Sequence, residues 1–222
     1  MLNEMMHRPV VMEKIVQFMR EEQKPFEGVL GEIQQYANEL GIPIIPHETA
    51  VFIDMLCAII QPKNILEIGT AIGYSGSLMA RYLPEDGKLI TIDRYAKMYE
   101  RAKVNFERMG LTDKIELLEG DAADILPELT GSFDLIFMDS AKAKYVEFLP
   151  YLIERMHVGS VLLIDDVFQG GTILDDESEI PKRVRKIHRK LNELFETVHQ
   201  NSSLRSSIIP LGDGVLMIRK EK

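Results

Sequence analysis

Five short apolar runs alternate with stretches of helical periodicity between residues 64 and 165, and this alternation constrains the fold more than any other feature. The runs fall at 64–69, 88–93, 114–119, 133–139 and 160–165, with helices expected near 74–83, 96–109, 122–129 and 145–156. Strands that are apolar nearly throughout must be covered on both faces, which predicts an α/β fold with a parallel, doubly wound sheet. Beyond the last run the pattern changes: residues 206–211 and 215–220 flank Gly212-Asp213-Gly214 and read as an antiparallel hairpin. In front lie two amphipathic helices, 11–20 and 26–40. The second has Phe26, Leu30, Ile33, Ala37 and Leu40 on one face and Gly41 as its stop. A third helix over 47–60 follows a proline-bounded segment. With no repeat, low-complexity tract or linker, the 222 residues predict one domain, a helical extension over 1–46 and an α/β core over 47–222.

The first strand carries the richest local signal. Residues 65–77 read ILEIGTAIGYSGS: an apolar run holding Glu67, then glycines at 69, 73 and 76, then a helix opening near Tyr74. Such a turn lets backbone approach a ligand closely, and the helix amino terminus behind it favours negative charge, so a nucleotide-like cofactor is expected. Dinucleotide sites use G-x-G-x-x-G. Here three residues separate Gly69 from Gly73, so the turn is wider. A carboxylate at Glu67 pointing towards the pocket would repel a pyrophosphate but suits a ligand with an amino group. Asp93 ends the next strand and can accept hydrogen bonds from ribose hydroxyls. The pattern E-x-G-x-x-x-G, with an acid ending the second strand, resembles the S-adenosylmethionine (SAM) site of class I methyltransferases.

A second constellation lies at the carboxyl ends of later strands, where α/β sheets keep their ligand crevice. FDLIFMD finishes at Asp139, and SVLLIDD finishes at Asp165 and Asp166. Three carboxylates converging there would repel one another without a cation. Oxygen ligands favour Mg²⁺, Mn²⁺ or Ca²⁺, and nothing supplies a zinc-type Cys or His cluster.

Composition removes several classes. A net charge of −9 argues against non-specific nucleic-acid binding by the whole surface, although a local basic patch could still bind RNA. No segment approaches the roughly 20 apolar residues of a membrane span, so no membrane partner is expected. The opening MLNEMMHRPV lacks the apolar core of a secretory signal. The single cysteine, Cys57, excludes an internal disulfide and reads as a buried thiol, and the expected compartment is cytoplasmic.

From about residue 42 onward the chain resembles the cation-dependent O-methyltransferases of the catechol and caffeoyl-CoA type. The matching pieces are ILEIGTAIGYS, TID, the GDA at 120–122, MDSAKAKY and LLIDDV. The resemblance implies a Rossmann-like class I methyltransferase sheet. It implies metal ligation by Asp139, Asp165 and Asp166, and it assigns Ile45, Glu67, Gly69, Ser75, Asp93, Asp121, Ala122 and Asp139 to SAM. The family usually has Asn where this chain has Asp166, a departure that adds negative charge. The motif D-x-x-K-x-x-Y is present as Asp139, Lys142 and Tyr145. By the chemistry this implies, a divalent ion lowers the pKa of the acceptor hydroxyl and fixes its position, while Lys142, close to the cation, takes the proton as general base. Without the motif spacing, Lys142 would read as a solvated lysine at a helix start.

The acceptor needs a hydroxyl beside another oxygen, as in catechols, caffeoyl esters and a hydroxylated uridine. The layout resembles most the bacterial branch that methylates 5-hydroxyuridine at the tRNA wobble position. IPII, SEIPKRVRKIHRK and IIPLGDGVLMIRK carry that likeness. The expected helix over 182–194 bears Lys182, Arg183, Arg185, Lys186, Arg189 and Lys190 opposite Val184, Ile187, Leu191 and Leu194. A basic face of this kind neutralises RNA phosphates, and it is equally the pattern of a solvated helix balanced by the acids of 175–179. A small catechol-like or caffeoyl-CoA-like acceptor is the alternative. The amino-terminal helices are expected to pack against a second copy, as the family likeness to homodimers implies, or to close over the acceptor site.

Overall fold

The structure, a computed structural model, describes residues 11–222, so the reading of the first ten residues lies outside it. The described chain forms two compact units, Glu13–Glu128 and Leu129–Lys222. The strands make a mostly parallel α/β sheet ending in an antiparallel hairpin. Among the described residues no helix is long and apolar enough to cross a membrane.

The first unit opens with α1 (Glu13–Glu22), α2 (Gly28–Leu40) and α3 (His47–Ile60). Gly41 ends α2 in the left-handed conformation, its N–H turned back to the helix carbonyls, as its position predicts. The buried face of α2 is Leu30, Ile33 and Ala37. Leu40 stays exposed, and Phe26 falls outside the helix, where its ring meets His47 edge-on. Helix α1 is tied to α3 by Arg20, whose guanidinium makes two 2.8 Å hydrogen bonds to the buried Glu48 carboxylate. Three parallel strands follow: β1 (Asn64–Ile68), β2 (Lys88–Asp93) and β3 (Ile115–Glu119), with α4 (Tyr74–Ala80) and α5 (Ala96–Arg108) between them. After β3 comes α6 (Ala122–Ile125), four residues long where the sequence predicted eight. Leu126 keeps helical backbone, but Pro127 has no N–H to donate to the Ala123 carbonyl, so the hydrogen-bond ladder of α6 ends there.

The second unit holds β4 (Phe133–Met138), α7 (Tyr145–Glu154), β5 (Met156–Ile164), α8 (Arg185–Gln200), β6 (Leu204–Ile209) and β7 (Val215–Lys220). β4 and β5 pair in parallel, and β7 runs antiparallel to both β5 and β6. β5 begins four residues before the predicted start, because the Met156–Ser160 stretch, broken by His157 and Gly159, pairs with β4 across a register shift. Leu135, Ile136, Phe137, Leu162 and Leu163 are fully buried. Burying each such side chain contributes roughly 1.5–3 kcal/mol, which is why these runs define the centre of the sheet. Cys57 is buried as expected, and burial pushes its thiol up to about 12.

Candidate active site

The chemistry-bearing residues of the first unit gather at the carboxyl ends of β1 and β2. Glu67 stands directly opposite Thr91 in the β1–β2 register. Its carboxylate is fully buried, accepting a hydrogen bond from Ser75 Oγ at 2.5 Å and one from Thr91 Oγ1 at 2.6 Å. Thr91 in turn accepts from Thr70 Oγ1 at 2.6 Å, so a buried chain of hydroxyls ends on the acid. The predicted open carboxylate is thus turned in against α4. A Cβ at Gly76 would stand 2.8 Å from Glu67 Oε2, so this close approach requires glycine there. Burial raises the Glu67 carboxyl to about 7, with the Asp93 charge adding to it and the two hydroxyl donors opposing it.

Asp93 braces the glycine turn. Its Oδ2 accepts from Ala71 N–H at 2.9 Å and its Oδ1 from Tyr95 N–H at 2.8 Å. Each oxygen keeps a lone pair for a ribose hydroxyl. Asp121 caps α6, accepting from Ala123 N–H at 3.0 Å, and pairs with Arg94 at 2.8 Å. Arg94 lies over the Tyr95 ring, 5.0 Å from its centroid. Ala122 opens α6, Gly69 donates to Ile92 at 3.0 Å, and Ile45 is buried just before α3. The turn offers backbone and, in Asp93, a carboxylate whose two oxygens each keep a lone pair, donor chemistry that fits SAM. Thr70, Thr91 and Arg94 were missed in the sequence. Thr91 was legible in principle, since strand residues two apart share a face and Asp93 follows it by two.

The second unit builds the other constellation. Asp139 follows β4, and Asp165 and Asp166 follow β5. Asp165 is buried, and its Oδ1 accepts from Asp166 N–H at 2.7 Å. Asp166 sits at φ 60°, a left-handed position that Asp and Asn tolerate better than other side chains. Lys142 Nζ lies 2.7 Å from Asp166 and 3.9 Å from Asp213, a residue the sequence reading treated only as part of a turn. Burial, reinforced by the Asp166 charge, raises the Asp165 carboxyl, and the same two causes raise Asp213 to about 7. Tyr145 Oη and Asp213 Oδ2 are buried with no hydrogen-bond partner. Burial and the charges of Asp139, Asp166, Asp165 and Asp213 raise the Tyr145 hydroxyl as well.

Among the described residues, no three His, Cys, Asp or Glu side chains are arranged to hold a metal ion as they stand. Asp139, Asp165 and Asp166 all act on the Tyr145 hydroxyl, and the Lys142 ammonium is drawn onto Asp166. The donor chemistry nonetheless fits a hard divalent cation. The donors are all oxygen, one buried carboxylate oxygen makes no hydrogen bond, and the charges of Asp139, Asp165, Asp166 and Asp213 all bear on the Tyr145 hydroxyl.

The basic segment is less open than its sequence suggests. Lys182–Val184 form a single 3-10 turn before α8, whose buried face is His188, Leu191, Leu194 and Val198. Val184 and Ile187, predicted for that face, are half-exposed. Arg185 donates to the Ile180 and Ser178 carbonyls, Arg189 pairs with Glu177, and Lys190 pairs with Glu193. Lys182, Arg183 and Lys186 face solvent.

Strand-end acids, a wide glycine turn and a sheet closed by an antiparallel hairpin define a class I methyltransferase. A family model described as O-methyltransferase matches residues 27–221. The chain is 39% identical over 150 residues to the catechol O-methyltransferase of Niastella koreensis, covering 64% of this chain and 67% of that one. It is 31% identical over 194 residues to the tapetum-specific methyltransferase 1 of Arabidopsis thaliana, covering 85% and 82%. Among solved structures, the O-methyltransferase TomG of Streptomyces achromogenes in complex with SAM superposes with a TM-score of 0.83 at 25% identity, covering 96% of this chain and all of that one. The chain belongs to the O-methyltransferase family and is a SAM-dependent O-methyltransferase.

Proposed function

We propose that this enzyme methylates one hydroxyl of a small ring that carries a second oxygen beside it, a catechol-like or caffeoyl-CoA-like acceptor. The observation that carries this reading is the likeness to the catechol O-methyltransferase of Niastella koreensis. A caffeoyl-CoA O-methyltransferase 1 of Eucalyptus globulus, 33% identical over 175 residues, supports it further. SAM supplies an electrophilic methyl on a sulfonium. We assign its ribose to Asp93, its adenine side to Asp121 and Ala122, and the rest of its contacts to Ile45, Gly69, Ser75 and Asp139, with Glu67 holding Ser75 in place. Asp139, Asp165 and Asp166 would hold a divalent cation, Mg²⁺, Mn²⁺ or Ca²⁺, whose chemistry is to make a bound hydroxyl more acidic. Lys142 Nζ lies 2.7 Å from Asp166 and, as the neutral amine after giving up its own proton, is the residue placed to take the acceptor's proton.

A second reading, the wobble 5-hydroxyuridine of tRNA, is favoured by one observation: Lys182, Arg183 and Lys186 stand exposed on one segment. The engagement of Arg185, Arg189 and Lys190 within the protein weighs against it. The deciding experiment gives the purified protein SAM and Mg²⁺ with 3,4-dihydroxybenzoate or with hydroxylated tRNA, each with and without EDTA. The leading reading expects an EDTA-sensitive methyl ether on the catechol. Transfer to tRNA alone moves the function to the second reading. We further propose one catalytic domain working in the cytoplasm as a homodimer, supported by the exposed apolar side chains Ile15 and Phe18 on α1 and Met55 and Ile59 on α3.

A further inference from the structure

We infer that Asp213, carried on the turn of the carboxy-terminal hairpin, is a positioning residue that holds the Lys142 ammonium within the carboxylate cluster. The inference rests on the reading in which Lys142 handles the acceptor's proton. A polar residue in a Gly-Asp-Gly turn is ordinarily solvated. This one is drawn inside: its side chain is 0% exposed. The turn is stitched onto the loop that follows Asp166, with Val167 N–H donating to the Gly214 carbonyl at 3.1 Å and Phe168 N–H to the Asp213 carbonyl at 2.8 Å. The Phe168 ring fills the space a side chain at residue 214 would need, 2.2 Å from an added Cβ, so the turn comes this close only with glycine there.

The two oxygens of Asp213 then divide their roles. Oδ1 accepts from Gly170 N–H at 2.7 Å and pins the loop. Oδ2 makes no hydrogen bond and lies 3.9 Å from Lys142 Nζ. Pinning the loop needs one acceptor, which Asn or Ser supplies without burying a charge. A second buried oxygen with no hydrogen bond is a cost that the loop does not explain, whereas a lysine on a flexible four-carbon stem does. Asp166, 2.7 Å from the same nitrogen, fixes Lys142 from one carboxylate, and Asp213 adds the second.

The test compares wild type with Asp213→Asn, which keeps an acceptor for Gly170, and with Asp213→Ser, which keeps that acceptor on a shorter side chain. The first readout is acetylation of Lys142 by a small acylating reagent, followed by peptide mass spectrometry with Lys182 as internal reference. The expected result is a rise of roughly fivefold in Lys142 acetylation in both variants, with S-adenosylhomocysteine affinity unchanged. The second readout is methylation of 3,4-dihydroxybenzoate, where kcat falls about tenfold or more while KM stays near wild type. Unchanged Lys142 acetylation in either folded variant overturns the inference, whatever the protein methylates. Release of Lys142 in a protein that methylates no ring hydroxyl upholds the positioning role and removes the functional reading instead.

Discussion

Glu67 shows how one residue's environment sets its role. The folded chain keeps a proton on this buried acid up to about pH 7, against 4.5 for an ordinary glutamate. The folded state therefore binds more protons than the unfolded state between those values, and stability falls as pH rises through that window. Glu67→Gln removes the titration. Its melting temperature should rise relative to wild type between about pH 5 and about pH 8, the gain reaching on the order of 3 kcal/mol. Parallel pH dependences of the two proteins would show that Glu67 is ionised throughout. Asp93 works through hydrogen bonds instead, bracing Ala71 and Tyr95 while leaving lone pairs for a ribose. Asp93→Ala should weaken S-adenosylhomocysteine binding by roughly 1.5–3 kcal/mol, about ten- to hundredfold, read by calorimetry. Full affinity in a folded variant rejects the assignment.

At the scale of elements, the basic turn and α8 carry the question of the acceptor. Replacing Lys182, Arg183 and Lys186 with neutral residues should leave catechol methylation unchanged. Loss of tRNA affinity, with a salt dependence shallower by about one unit per lost phosphate contact, would favour the second reading. Arg185 is left out of that variant because its bonds to Ile180 and Ser178 hold the preceding segment, and its loss would confuse folding with binding. The strands were legible because buried parallel strands are apolar nearly throughout, and α3 lies over 47–60, after the proline-bounded segment, as the sequence predicts. Ends were less legible: α6 stops before Pro127, and β5 recruits a stretch interrupted by His157 and Gly159 that only pairing makes a strand. Asp93 and the acids after β4 and β5 stood out because strand ends in such sheets face ligands. Asp213 did not. Its burial depends on Phe168 packing over Gly214, a long-range contact with no local signature.

At the scale of the whole molecule, the exposed apolar residues of α1 and α3 bear on assembly. Light scattering should give twice the chain's 25.3 kDa across micromolar concentrations, and Phe18→Glu with Ile59→Glu should shift it towards the monomer. A monomer mass for wild type throughout would remove the dimer. The central claim is methyl transfer from SAM to a hydroxyl that has an oxygen neighbour. The most direct measurement supplies SAM with a deuterated methyl group, together with Mg²⁺ and 3,4-dihydroxybenzoate, and follows both products by mass spectrometry. The account predicts one labelled methyl ether per S-adenosylhomocysteine formed from 3,4-dihydroxybenzoate, and none when 4-hydroxybenzoate, a ring with a single hydroxyl, takes its place. Equal methylation of the single-hydroxyl ring, or no labelled ether at all, would contradict it.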